Sequence, residues 1–268
     1  MRFLNLYWRT IKDRAISWPT VAVSVIAYVF IIVGIYPAFA NNPAFAQIIK
    51  AYPKAMLSLL AGSSGVDMLS PEGFISLEFL QLWGMLIIAG FVMTTGASIV
   101  AREIDNHTMD LLLTQPIDRV EYLVARLVAD ITMMLGLVAV TMVSIWLGTK
   151  MFDFPLKVDG ILAVTVLISS LYLMIECFSL AMGTFMERGK AIIVSVSVLI
   201  GSHLLNSLGD FNDTIKDFRW LSLFNYYQPS EALRDGAVPW GPVLLFTGFA
   251  LVFLTVAVVV FREKDIPA

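Results

Sequence analysis

Ile75–Val100 reads ISLEFLQLWGMLIIAGFVMTTGASIV. Ala101–Arg126 then turns polar, AREIDNHTMDLLLTQPIDRVEYLVAR, and a second apolar run begins at Leu127. A membrane-spanning helix needs about 20 predominantly apolar residues, and both flanking runs reach that length. The polar stretch is therefore a hairpin between two spans. Within it, Thr108–Leu113 supplies one or two helical turns, with Met109, Leu111, Leu112 and Leu113 set among Thr108, Asp110 and Thr114. Pro116 stops that piece, because its ring removes a backbone donor and restricts Gln115 before it. Apolar side chains on a short amphipathic helix outside the lipid call for a soluble partner that covers them.

Working outward, four more apolar runs appear, giving six predicted spans: Thr20–Ala38, Ile75–Val100, Leu127–Leu147, Ile161–Met186, Ala191–Leu208 and Gly241–Phe261. Composition agrees. The chain is 58% hydrophobic and 15% charged, with a mean hydropathy of +0.81, well above the roughly 45–50% apolar content of soluble domains. The reading is an all-α polytopic membrane protein, a single transmembrane domain over residues 1–268. The longest polar connections, Phe39–Phe74 and Gly209–Trp240, are too short for a conventional soluble domain, so a catalytic domain has to come from another chain.

Charge and cysteine content exclude several classes. A formal charge of −3 gives no basic footprint for nucleic acid. Cys177 is the only cysteine and falls within a span, which rules out an intrachain disulfide or a cysteine metal cluster. Gly183–Ala191 (GTFMERGKA) imitates a phosphate loop, but Ala191 stands where Ser or Thr should hold magnesium. The two histidines, His107 and His203, form no zinc pattern.

With both termini inside, the inner segments hold Arg2, Arg9, Lys12, Arg14, Arg102, Arg119, Arg126, Arg188, Lys190, Arg262 and Lys264, a greater density than the longer outer segments carry. That bias fits the positive-inside rule and predicts a multi-pass protein of the cytoplasmic membrane with both termini cytoplasmic. Trp18, Tyr36, Trp83, Trp146 and Trp240 read as an aromatic belt near the span ends.

Residues 1–17 form an expected interfacial helix. Phe3, Leu4, Tyr7, Trp8, Ile11 and Ala15 oppose Arg2, Asn5, Arg9, Lys12 and Asp13 at helical spacing. Basic residues, an apolar run and Ala38-Phe39-Ala40 together imitate a cleaved secretory signal, but the run exceeds the usual h-region of about 7–15 residues. Retention of the segment is expected. Two outer stretches, Ala44–Leu60 and Asn225–Gly236, read as short caps.

Ionisable residues inside spans are functional candidates, since each is costly in hydrocarbon. Glu176 is the deepest, and it reads either as a protonated or partnered carboxyl packing two helices or as a polar contact on the transport path. His203 reads as a packing hydrogen-bonder or a pathway residue. Asp130 is expected to pair with Arg126 one turn earlier. Glu78 sits near the outer end of its span.

The segment with Glu103, Thr108, Leu112-Leu113, Pro116 and Arg119, together with six spans, an N-terminal amphipathic helix and the tail Phe261-Arg262-Glu263-Lys264-Asp265-Ile266, resembles permease subunits of type-2 ABC transporters. A Gly-Thr pair common in that family reads His107-Thr108 here, and a lysine often found after the proline segment is Arg126. The resemblance implies that residues 101–119 are a cytoplasmic coupling helix region seated on a separate ABC ATPase, with Glu103, Thr108, Met109, Leu112, Leu113, Pro116 and Arg119 in the docking segment. It implies that ATP and Mg are bound by that partner, with no cofactor in this chain, and that a second permease subunit completes the pathway within the lipid. Export is the expected direction. A secondary transporter or channel would carry inverted repeats with broken helices, and an intramembrane enzyme or assembly factor would carry paired groups at matching depth; neither pattern is found.

Overall fold

The computed structural model describes residues 2–44, 47, 51, 67, 69–105, 118–209 and 213–264. Its elements are α1 (Arg2–Asp13), α2 (Ser17–Ala40), α3 (Pro71–Ser98), α4 (Ala101–Asp105), α5 (Arg119–Met151), α6 (Val158–Phe185), α7 (Arg188–Leu208), α8 (Asp213–Lys216), α9 (Pro229–Asp235) and α10 (Trp240–Glu263). Six of them, α2, α3, α5, α6, α7 and α10, are long and apolar enough to cross a membrane. The protein is an all-α polytopic membrane protein, as expected from the apolar runs.

Helix ends lie beyond the apolar runs where local capping extends them. Ser70 opens α3 by accepting from the Gly73 N–H, with Pro71 in the first turn. Asp118 does the same for α5, its side chain accepting from the Val120 N–H. At 1.5 Å per residue α5 is about 50 Å long, well beyond the roughly 30 Å of hydrocarbon it has to cross. Its excess holds Arg119, Glu121 and Arg126.

α6 is the central helix, packing on α3, α5, α7, α9 and α10. Its contact with α3 is backbone to backbone. A Cβ placed on Gly96 would lie 2.6 Å from the Glu176 carbonyl oxygen, and one on Gly183 would lie 2.6 Å from that of Ala97. Small residues of this kind are what let spans approach where no hydrophobic force between them exists.

α3 is not regular. Over Ser76–Leu82 it widens to a π-helix, which changes the carbonyl pairing along the turn. Two carbonyls there accept from tyrosines of other elements: Tyr28 O–H donates to Glu78 O at 3.2 Å and Tyr227 O–H to Leu80 O at 3.0 Å. Tyr227 belongs to the stretch 225–236, which contains α9. Leu233 of α9 is buried against the bundle, so this stretch does cap it. The other expected cap, Ala44–Leu60, lies almost entirely outside the described residues.

The aromatic belt needs correction at two positions. Trp18 Nε1 donates to Met133 O at 2.9 Å, tying α2 to α5. Tyr36 is buried beside Phe74 and Phe154 and donates to Leu69 O. Both rings join helices. Trp83, Trp146 and Trp240 face outward.

Candidate functional site: the charged base of the bundle

Both described chain ends fall at one end of the bundle, called here the base. A cluster distinct from the main core sits there, in which Leu6 of α1 meets Ile99, Tyr122 and Leu123, and Phe261 of α10 closes the other side. α1 therefore divides its apolar residues between two surroundings. Leu6 is buried in the protein, while Leu4 and Trp8 are exposed. Leu6 and Thr10 were not on the apolar face read from the sequence, because only tertiary packing separates a protein-facing stripe from a lipid-facing one.

The described residues on either side of 106–117, Asp105 and Asp118, border α4 and α5 at the base. Thr108, Met109, Leu112, Leu113 and Pro116 lie within that segment, outside the described residues. Its two flanks are described, and each is tied to several spans. On the incoming side, Arg126 Nη2 of α5 donates to Glu103 Oε1 of α4 at 2.7 Å. Its guanidinium also stands 4.9 Å from the Tyr122 ring centre. Asp105 Oδ2 accepts from the Arg188 N–H at 3.0 Å, placing a carboxylate at the N-terminus of α7, where the helix dipole favours negative charge.

On the outgoing side, Arg119 Nη1 donates to the carbonyls of Phe261 (3.3 Å), Arg262 (3.4 Å) and Lys264 (2.8 Å). These are the last acceptors of α10, which an arginine satisfies well. Lys264 Nζ in turn donates to Thr184 O of α6 at 2.6 Å. The flanks of the segment thus connect to α5, α6, α7 and α10 by direct or linked contacts.

Higher in the base the pairing differs from expectation. Asp130 does not pair with Arg126, which is committed to Glu103. The ion pair is with Arg14, whose Nε lies 3.9 Å from Asp130 Oδ1. Burial pushes the Arg14 guanidinium below its ordinary value, and Asp130 opposes that shift. The contact pins the corner between α1 and α2 onto α5. Sequence spacing gives no signal for it, because 116 residues separate the partners.

Glu176 is fully buried. Its Oε1 lies 3.3 Å from Thr95 Oγ1, and its backbone forms the tight contact with Gly96. Next to this seam, α3, α6, α7 and α10 leave an apolar groove of about 270 Å³, lined by Met93, Phe178, Val198, Leu199, Phe249 and Phe253 among others; Glu176 is not part of the lining. His203 of α7 stands edge-on to Phe224 at 4.8 Å, away from Glu176. The two pathway candidates are therefore not brought together. No group of three or more His, Cys, Asp or Glu able to hold a metal occurs among the described residues.

The model of the family described as ABC-2 family transporter protein matches residues 4–266 of this chain. No curated protein matches it.

Proposed function

Because the chain belongs to the ABC-2 family of transporter proteins, we propose that it is the permease subunit of an exporter driven by a separate ABC ATPase, which binds the ATP and Mg. A family of membrane transport components supports a non-catalytic role for the chain itself. In this reading residues 1–268 form one permease domain, and α1 is an interfacial helix. The base faces the cytoplasm with both termini, and two six-span subunits enclose the path through the lipid.

The observation that carries the reading is the anchoring of 106–117. A short segment that merely linked two spans would need no such framework. Here Glu103, Asp105 and Arg119 bind its flanks to α5, α7 and α10. A displacement applied by an ATPase to the segment 101–119, with Thr108, Met109, Leu112, Leu113 and Pro116 in its groove, would then be passed to several rigid helices together. Interfaces of this kind switch between discrete packings rather than deforming continuously. Transport requires only that cargo bind the two resulting states with different affinity.

Purification through a tag on this chain, from the membrane of its own host, tests the proposal. An ATPase subunit carrying a phosphate-binding loop should copurify, and transport by the reconstituted complex should require ATP. A chain that purifies alone and transports without ATP overturns it.

A further inference from the structure

Two ion pairs occupy the inner part of the base, and a third carboxyl, Glu176, is buried on α6. Glu103 takes Arg126 at 2.7 Å, and Asp130 has Arg14 at 3.9 Å. Glu176 is the third carboxyl, with no cation left to it. It feels Asp130 as a like charge and Arg14 as an opposite one, and Asp130 also feels Arg126. Arg102 and Arg188 act on Arg14 from the rim. The other elements packed on α6 add nothing ionisable at this depth: α7 has none from Ala191 to Ser202, α10 none from Gly241 to Phe261, and Glu78 lies towards the far end of α3. Cys177, the neighbour of Glu176 on α6, is buried as well.

Geometry around Thr95 bears on the state of that third carboxyl. Thr95 Oγ1 lies 2.9 Å from Val92 O, 3.1 Å from Phe91 O and 3.3 Å from Glu176 Oε1. A hydroxyl has one proton to give and lone pairs to accept with. If Thr95 donates along its own helix to Val92, its shortest contact, the contact with Glu176 is satisfied only when Glu176 is the donor. Glu176 Oε2 has no hydrogen-bond partner among the described residues. An ionised carboxylate there would be buried with one oxygen unpaired, a strongly unfavourable arrangement. A neutral carboxyl donating to Thr95 avoids that cost and leaves Arg14 to Asp130.

We propose that Glu176 is a proton-binding site, carrying its proton on Oε1 and donating it to Thr95. Its neutrality leaves Arg14 to Asp130 and so keeps the α1–α2 corner on α5. Infrared spectroscopy of the purified protein in lipid bilayers at neutral pH tests this without reference to transport. The wild-type should show the carbonyl stretch of a protonated carboxyl that is lost in Glu176→Gln and retained in Glu78→Gln. In Thr95→Val the band should persist at a shifted frequency, since its acceptor is gone. In Asp130→Asn it should shrink, because Glu176 then ionises against Arg14. Absence of the band in wild-type, or a band that survives Glu176→Gln unchanged, overturns the assignment. Should Glu176→Gln fail to fold, Thr95→Val decides: an unshifted band overturns it equally.

Discussion

Arg126 of α5 reaches Glu103 of α4 across 2.7 Å, so the helix that leaves the polar segment holds the helix that enters it. Both side chains are largely buried, 9% and 16% exposed, which places the pair among the charge-assisted contacts that matter rather than among weak surface pairs. Replacing Glu103 leaves the Arg126 guanidinium buried without its carboxylate. Glu103→Gln should therefore lower stability by about 1–3 kcal/mol and, in the proposed transporter, retain the ATPase while uncoupling hydrolysis from transport. The exchange Glu103→Arg with Arg126→Glu should recover much of the loss. Thermal unfolding of wild-type, Glu103→Gln and the exchanged pair, with hydrolysis and transport measured side by side, checks both parts.

The close α3–α6 seam makes a second, purely steric expectation. A methyl group at Gly96 meets the Glu176 carbonyl, whereas at Gly90 it meets nothing within 4 Å. Gly96→Ala should destabilise by about 1–3 kcal/mol through forced backbone shifts, and Gly90→Ala should be neutral or slightly stabilising because alanine is the better helix former. Unfolding midpoints in the same detergent compare them directly. Equal midpoints would mean the seam is looser than described.

Removing the hydroxyl of Tyr227 tests the link between the outer stretch and the irregular part of α3. Tyr227→Phe keeps the ring packed and leaves the Leu80 carbonyl without the tyrosine donor. The expected cost is about 1 kcal/mol, and hydrogen exchange should quicken for amides around Ser76–Leu82. Tyr7→Phe, which keeps the ring contact with Trp8, serves as the control.

The proposed membrane sidedness rests on the basic residues at the base. In a Cys177→Ala background, single cysteines at Lys157 and Lys216 should react with an impermeant thiol reagent in intact cells, and one at Lys190 should react only after the membrane is opened. All three side chains are exposed, so access through the lipid is what the experiment reads. Labelling of Lys190 from outside would invert the orientation.

Much of this fold was legible in the sequence because a span is a local property: an apolar run of sufficient length has few alternatives. The ends were less so. α5 begins at Arg119, eight residues before the apolar run read at Leu127, since Asp118 caps it and its early charges find partners at the base. Ser70-Pro71-Glu72 carries a helix-start signal for α3 that the reading from Ile75 does not use. Pairing was the illegible part. Arg126 was assigned to Asp130 one turn away, but Glu103 from another helix takes it and Arg14 serves Asp130. Nothing in spacing reveals which helices are neighbours, and the same holds for Tyr227 on Leu80. Of the site residues read from the sequence, Glu103 and Arg119 appear as anchors, while Thr108, Met109, Leu112, Leu113 and Pro116 fall outside the described residues.

The central claim is that segment 101–119 seats in a separate ATPase, and Leu112→Asp tests it most directly. Docking would bury the apolar side chain, contributing about 25 cal/mol per Å². An aspartate in its place would lose that contribution and bury an unpaired charge, at a cost of several kcal/mol in order of magnitude. The measurement is the amount of ATPase recovered with the tagged permease from membranes holding equal amounts of wild-type or variant chain. The account predicts that Leu112→Asp inserts normally and loses the ATPase. Recovery of the ATPase at the wild-type level, with transport undiminished, would contradict it.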